Sequence, residues 1–197
     1  YSMNVGAEDY ENYYGRYMGD LEEPVGHEPA AAFYFVSKIT SERVKVALTG
    51  QGADEPWAGY DRYKGIKLST LYSKMPGAVT DGLLPLVARM TGRTERFKRG
   101  VASLSEPDML TRFAKVYSFF SADMKAQLYT GALKQGFDAD HFGTRKALGH
   151  LQADVKDLDP LTQMLYIDTR ANLPDDLLMV ADKTSMANSL EVRVPFL

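Results

Sequence analysis

The 197-residue chain is 45% hydrophobic, enough to bury a core as one domain or a large piece of one. Its 23 Lys and Arg against 26 Asp and Glu leave a formal net charge of -3, so no overall field draws it to nucleic acid or an anionic membrane, and no apolar run approaches the roughly 20 residues that span a bilayer. There is no cysteine, which excludes disulfides, thiolate catalysis and Cys-based metal sites, and the three histidines, His27, His141 and His150, are too scattered for a metal-ligand motif.

The N-terminus lacks the basic-then-apolar pattern of a signal peptide, so the chain reads as cytoplasmic. It opens at Tyr1 and stops on the apolar run Pro195-Phe196-Leu197, which points to an excised fragment. Along the chain, Ala30, Phe33, Tyr34 and Ser37 recur at helical spacing within 28–38 and predict a helix ending before Thr40-Ser41. Val44, Val46 and Leu48 alternate with Lys45 and Ala47, which predicts a strand over Val44–Leu48. A helix followed by a strand is half of a parallel α/β crossover. Ala53 to Tyr63 then suits a helix that begins at the acidic pair, with Pro56 tolerated in its first turn.

Beyond residue 64 the chain reads as helical throughout, with no compelling strand. Pro76-Gly77, Gly92, Ser105-Glu106-Pro107, Gly131, Gly143 and Asp159-Pro160 punctuate it. At the last of these, Asp159 is placed as an N-cap and Pro160 as the first helical residue, with Leu161, Met164 and Leu165 on one face. Arg89, Arg93, Arg96, Lys98 and Arg99 form a basic cluster, either a solvated helix face or a phosphate contact.

The segment most suited to chemistry follows the strand. In open α/β sheets ligands bind beyond the carboxyl ends of the strands, where Thr49, Gly50, Gln51 and Gly52 lie. Gly50 and Gly52 permit positive φ and close backbone approach, so consecutive amides can turn toward an anion or a purine edge. Asp54 and Glu55 follow at a helix start, where a carboxylate pair can cap the helix or hold Mg²⁺ against substrate phosphates.

Two long motifs sharpen this reading. Thr49-Gly-Gln-Gly-Ala-Asp-Glu-Pro-Trp-Ala-Gly-Tyr-Asp-Arg-Tyr63 resembles the SG(D/E)GADELFGGYxRY motif of the asparagine synthase family. Leu173-Pro-Asp-Asp-Leu-Leu followed by Asp182-Lys-Thr-Ser-Met-Ala-Asn-Ser-Leu-Glu-Val-Arg-Val-Pro-Phe-Leu197 is similar to the family's LPDDLLxxxDRxSMAxSLExRVPFLD. A weaker match, Glu22-Glu-Pro-Val25, resembles its DEPxA segment. The resemblance implies an α/β nucleotide-binding domain of the adenine nucleotide alpha hydrolase-like kind, truncated and predominantly helical, with one or two strands of a parallel sheet. Residues 1–197 would then be a partial synthetase domain. The glutaminase domain, the SGGxDS pyrophosphate loop and the C-terminal end of the family's domain are absent from this stretch.

Family members use ATP and Mg²⁺ to adenylate a carboxylate, then transfer ammonia to form an amide. Carried over by resemblance, Thr49, Gly50 and Gly52 belong to the ATP-binding turn, Asp54 to the metal and pyrophosphate, and Glu55 to the acceptor and ammonia. Gln51 and Glu55 are the candidate catalytic positions. Asp182, Lys183, Glu191 and Arg193 are either a wall of the acceptor pocket or an ion-paired scaffold. The expected partners are ATP, aspartate or another carboxylate, and ammonia from a glutaminase domain of the same parent chain, with a homodimer as one form of association.

Three departures bear on the acceptor. Gln51 stands where asparagine-forming members usually carry an acid, and an amide neither takes nor releases a proton at physiological pH. Pro56-Trp57-Ala58 replaces Leu-Phe-Gly, and Lys183 replaces an arginine, losing its planar fork. These keep open a β-lactam synthetase-like relative and a non-catalytic helical module. The missing loop predicts no synthetase activity for residues 1–197 alone, and a truncated sheet predicts an unpaired edge and an exposed apolar face.

Overall fold

The computed structural model describes residues 2–23, 25, 29–72, 75–76, 79, 106–120, 122–136 and 142–197. The Arg89–Arg99 basic cluster, His27 and His141, and the punctuation at Gly77, Gly92 and Ser105 lie outside them. The chain forms two compact units, the first from Tyr1–Trp57 and Asp168–Leu197, the second from Ala58–Ile167.

In the first unit, α1 (Ala7–Leu21) places Tyr13, Tyr17 and Leu21 on one buried face at the i, i+4, i+8 spacing of a helix stripe. The amide of Gly6 donates to Asp9 Oδ2 at 2.8 Å, closing the first turn. α2 (Ala30–Ser41) buries Ala30, Ala31, Tyr34 and Phe35. The two faces meet ring to ring, with Tyr13 stacked on Tyr34 at 3.9 Å between centroids and Tyr17 Oη donating to Val25 O at 3.0 Å. Contrary to the sequence reading, α2 continues through Thr40 and Ser41. Their hydroxyls bond back to Val36 O (2.7 Å) and Lys38 O (2.9 Å), a local pairing that lets such residues finish a helix.

The strand β1 is Val46–Leu48, two residues shorter than expected at its start. Arg43 N and Val44 N still bond to Thr40 O, at 3.0 and 3.1 Å, so Val44 belongs to the turn that closes α2. The single helix expected over Ala53–Tyr63 is in fact two, α3 (Asp54–Trp57) and α4 (Asp61–Tyr72). Ala58 between them has φ 58°, a left-handed backbone that ends a right-handed helix.

The last part of the chain departs furthest from expectation. Asp168–Leu178 is a π-helix with Pro174 inside it, leading directly into a further helix, Met179–Met186. A proline ring crowds the carbonyl four residues back in an α-helix, and the wider π coil relieves that crowding. A second strand, β2 (Glu191–Arg193), then pairs in parallel with β1, with Val46 opposite Glu191 and Leu48 opposite Arg193. The alternation Glu191-Val192-Arg193-Val194 is an ordinary strand pattern that the all-helical reading of this region missed. Among the described residues the sheet has these two strands, and the coarse expectation of a mostly helical chain with a small parallel sheet holds.

The helix Met179–Met186 is the hub of this unit, packing on α1, α2, the π segment and β2. Its buried hydroxyls are internally satisfied, with Thr184 Oγ1 donating to Val180 O at 2.7 Å and Ser185 Oγ to Asp182 O at 3.0 Å. Asn188 Nδ2 donates to Tyr34 O (3.3 Å) and Thr184 O (3.0 Å), tying the turn before β2 to α2.

The second unit comprises α4, α5 (Met109–Tyr117), α6 (Ala122–Leu128), α7 (Gly131–Gln135), α8 (Phe142–Val155) and α9 (Pro160–Ile167). With these numbered, Met179–Met186 is α10. Tyr63, Ile66, Leu110, Phe113, Leu151, Val155, Met164 and Ile167 are among the buried residues of this unit. Asp159 caps α9 as expected, accepting from Leu161 N at 3.0 Å and Thr162 N at 3.2 Å. No described helix is long and apolar enough to cross a membrane.

Candidate active site

Both strands run in the same direction, so the residues after Leu48 and after Arg193 emerge at one edge of the sheet, where ligands of open parallel sheets bind. Main-chain bonds hold the two exits together. Glu191 N donates to Lys45 O at 2.9 Å, and Thr49 N donates to Arg193 O at 3.0 Å. Thr49 is therefore pinned at the mouth of the turn by the second motif.

From there the turn has an open side and a closed side. Gly50 is exposed, and a Cβ added to it would meet nothing within 4 Å. Gly52 is buried with φ +82°, and a Cβ there would lie 2.6 Å from Leu197 Cδ1 and 2.7 Å from Leu197 Cγ. The glycine is required twice, by its backbone angle and by the leucine against its α-carbon. Between them Gln51 is half-buried, and its side-chain oxygen is shielded from solvent without a hydrogen-bond partner among the described residues.

The acidic pair divides by exposure. Asp54 faces solvent at the start of α3, whereas Glu55, the next residue, is fully buried. α3 packs against the π segment. Among the described residues no group of three or more His, Cys, Asp or Glu could hold a metal ion.

The side chains of the other candidates with a described ion pair find their partners away from this turn. Lys183 on α10 ion-pairs with Glu22 at the end of α1. Glu22 is held below the usual carboxylate range by the hydrogen bond from Lys183 and then by its charge, and Lys183 is raised correspondingly. Asp182, beside it, is exposed. Glu191 and Arg193 lie on one face of β2 and pair with each other, Arg193 Nε donating to Glu191 Oε1 at 2.7 Å with both side chains more than half exposed. The structure thus brings together Thr49, Gly50, Gln51, Gly52, Asp54 and Glu55 along one short segment. It pairs the side chains of Lys183, Glu191 and Arg193 elsewhere, while the Arg193 carbonyl holds Thr49.

Two residues of this region were not singled out from sequence. Leu197 closes the turn, a role that only the parallel pairing of β1 with β2 reveals. Asp168 is fully buried at the start of the π segment. The available signal for it was an acid placed in register with the apolar positions Met164, Ile167 and Ala171, and helical periodicity could have flagged it.

Comparison with known proteins gives the family. The chain matches the family described as "Asparagine synthase" over residues 1–197. It is 29% identical over 200 residues to asparagine synthetase [glutamine-hydrolyzing] 1 of Bacillus subtilis, covering 100% of this chain and 30% of that protein. Relatives from Mycobacterium bovis and Mycobacterium tuberculosis, provisionally named asparagine synthetase [glutamine-hydrolyzing], are 32% identical over 181 residues, covering 90% of this chain and 26% of theirs. The chain therefore spans less than a third of the length of these relatives. No solved structure matches it. With both motifs meeting at one sheet edge and the family match running from the first residue to the last, the chain belongs to the asparagine synthase family.

Proposed function

We propose that the protein containing this chain is an ATP-dependent ligase that adenylates a carboxylate, aspartate in the first instance, and converts it to an amide with ammonia. The observation that carries this reading is the junction of the two motifs. Thr49 is bonded to Arg193 and Gly52 is packed under Leu197, which shapes a turn with one open face beyond the carboxyl ends of two parallel strands.

The chemistry asks for such a turn. A carboxylate attacking a phosphate brings two anions together, so the site must supply positive charge and oriented amides. The open side at Gly50 lets a phosphate or a purine approach the main chain. Asp54 fits Mg²⁺, because the ion takes one or two carboxylates and completes its shell with phosphate oxygens and water. Bound there, the metal would offset phosphate charge. Glu55 has no access to bulk solvent, and a buried carboxylate beside the turn suits the later, water-excluded amide-forming stage.

The test is carboxylate-dependent exchange of pyrophosphate into ATP by the full-length protein, across aspartate and a panel of other carboxylates. Exchange with aspartate, lowered at least a hundredfold by Asp54→Asn, is the expected outcome. Exchange confined to a different carboxylate would move the protein to a β-lactam synthetase-like reading, and no exchange with any carboxylate would leave the non-catalytic helical module.

A further inference from the structure

The turn holds one polar atom that no described residue satisfies. Gln51 Oε1 is shielded from solvent, yet no described residue donates to it. An amide oxygen is an acceptor only, and leaving one buried without a donor costs free energy that an apolar side chain of the same size would not incur. On one side of it in the chain Gly52 packs under Leu197, and on the other Gly50 is exposed with open space at its α-carbon. A ligand entering over Gly50 is therefore the natural source of the missing donor.

The reactants of the proposed ligase differ sharply in what they could offer. Triphosphate oxygens and the reacting carboxylate are ionised and donate nothing, whereas the adenine amino group and ribose hydroxyls of ATP do donate, and loss of a contact to them would fall on exchange and amide formation alike. A permanent ammonium held at a buried position calls for a carboxylate rather than a neutral amide. The neutral nitrogen nucleophile carries N–H groups and no charge, which matches a neutral acceptor.

We propose that Gln51 recognises the attacking nitrogen in its uncharged amine form by accepting one of its N–H groups at Oε1. The inference rests on the amide-forming reading above and assigns within it the residue that positions the nucleophile. Gln51 orients the amine without taking its proton, so no ionisation at position 51 enters the rate of amide formation.

The experiment uses the full-length protein with ammonium chloride as nitrogen source, and follows pyrophosphate exchange and amide formation separately. In the unaltered protein the KM for total ammonia should fall with rising pH in step with the free-amine fraction; a KM indifferent to pH overturns the proposal without any variant. Gln51→Met, similar in size and lacking the acceptor, should lower amide formation at least tenfold more than exchange, and Gln51→Glu should recover most of that loss. Equal losses in the two reactions would place Gln51 against the nucleotide or the carboxylate and overturn the proposal, as would an unchanged ammonia KM in Gln51→Met. Absence of exchange in the unaltered protein removes the adenylating reading itself, whereas exchange with an unmoved ammonia KM removes only this inference.

Discussion

A methyl group at position 52 would sit on a backbone with φ +82° and press into Leu197 at 2.6 Å. A left-handed alanine costs about 1–2 kcal/mol, and overpacking adds roughly 1–3 kcal/mol, so Gly52→Ala should destabilise the chain by at least about 2 kcal/mol in urea denaturation. Trimming the leucine separates the two contributions. In a Leu197→Ala background the same substitution should lose its steric share, and strict additivity of the two changes would show that the contact does not form. Ala58 presents the opposite case, a non-glycine residue held at φ 58°. Ala58→Gly should raise the melting temperature, by the equivalent of about 0.5–1 kcal/mol, because relief of the left-handed strain outweighs the added chain entropy. A lower melting temperature would contradict the assigned backbone.

At the scale of elements, α5 depends on a polar start. Asp108 accepts from Thr111 N at 2.8 Å and Thr111 Oγ1 at 2.7 Å, while Arg145 Nη2 lies 3.4 Å from its Oδ2. Burial pulls the Asp108 carboxyl upward, but the Thr111 hydroxyl and amide, followed by the charge of Arg145, outweigh it and hold the group below its ordinary value of 3.8. Because the folded pKa lies below the unfolded one, the stabilisation is complete above about pH 3.8 and is lost as pH falls through the folded value. Asp108→Asn keeps the cap and should flatten that acid limb in pH-dependent thermal melts, whereas Asp108→Ala should cost about 1 kcal/mol at neutral pH.

Caps of this kind explain what was legible in the sequence. Asp159-Pro160 announces a helix through chemistry local to four residues, and the glycine turn at 49–52 announces itself in the same way. Local patterns served less well where distant partners decide the outcome. Glu191–Arg193 becomes a strand only because β1 supplies its hydrogen bonds, and the reach of Leu197 to Gly52 follows from that pairing. The break at Ala58 was hidden for another reason, since alanine gives no sign of a left-handed angle.

For the whole molecule, the exposed side of the small sheet has consequences in solution. Val46 and Leu48 on β1 are 41% and 73% exposed, although parallel sheets ordinarily carry cover on both faces. The isolated 197-residue chain should therefore self-associate as its concentration rises. Leu48→Lys should shift sedimentation velocity profiles toward the monomer, and profiles unchanged by the substitution would show that this strand is not the sticky surface.

The bond from Thr49 to Arg193 and the seat of Leu197 on Gly52 also bear on how the protein is born. A ribosome releases the glycine turn long before it makes the strand and leucine that shape it. During that interval β1 has no partner from β2 and Gly52 has nothing against it. The turn can take its final form only once the late segment has emerged, so a chain interrupted before Arg193 would carry every residue of the first motif and still lack the shape that the motif serves.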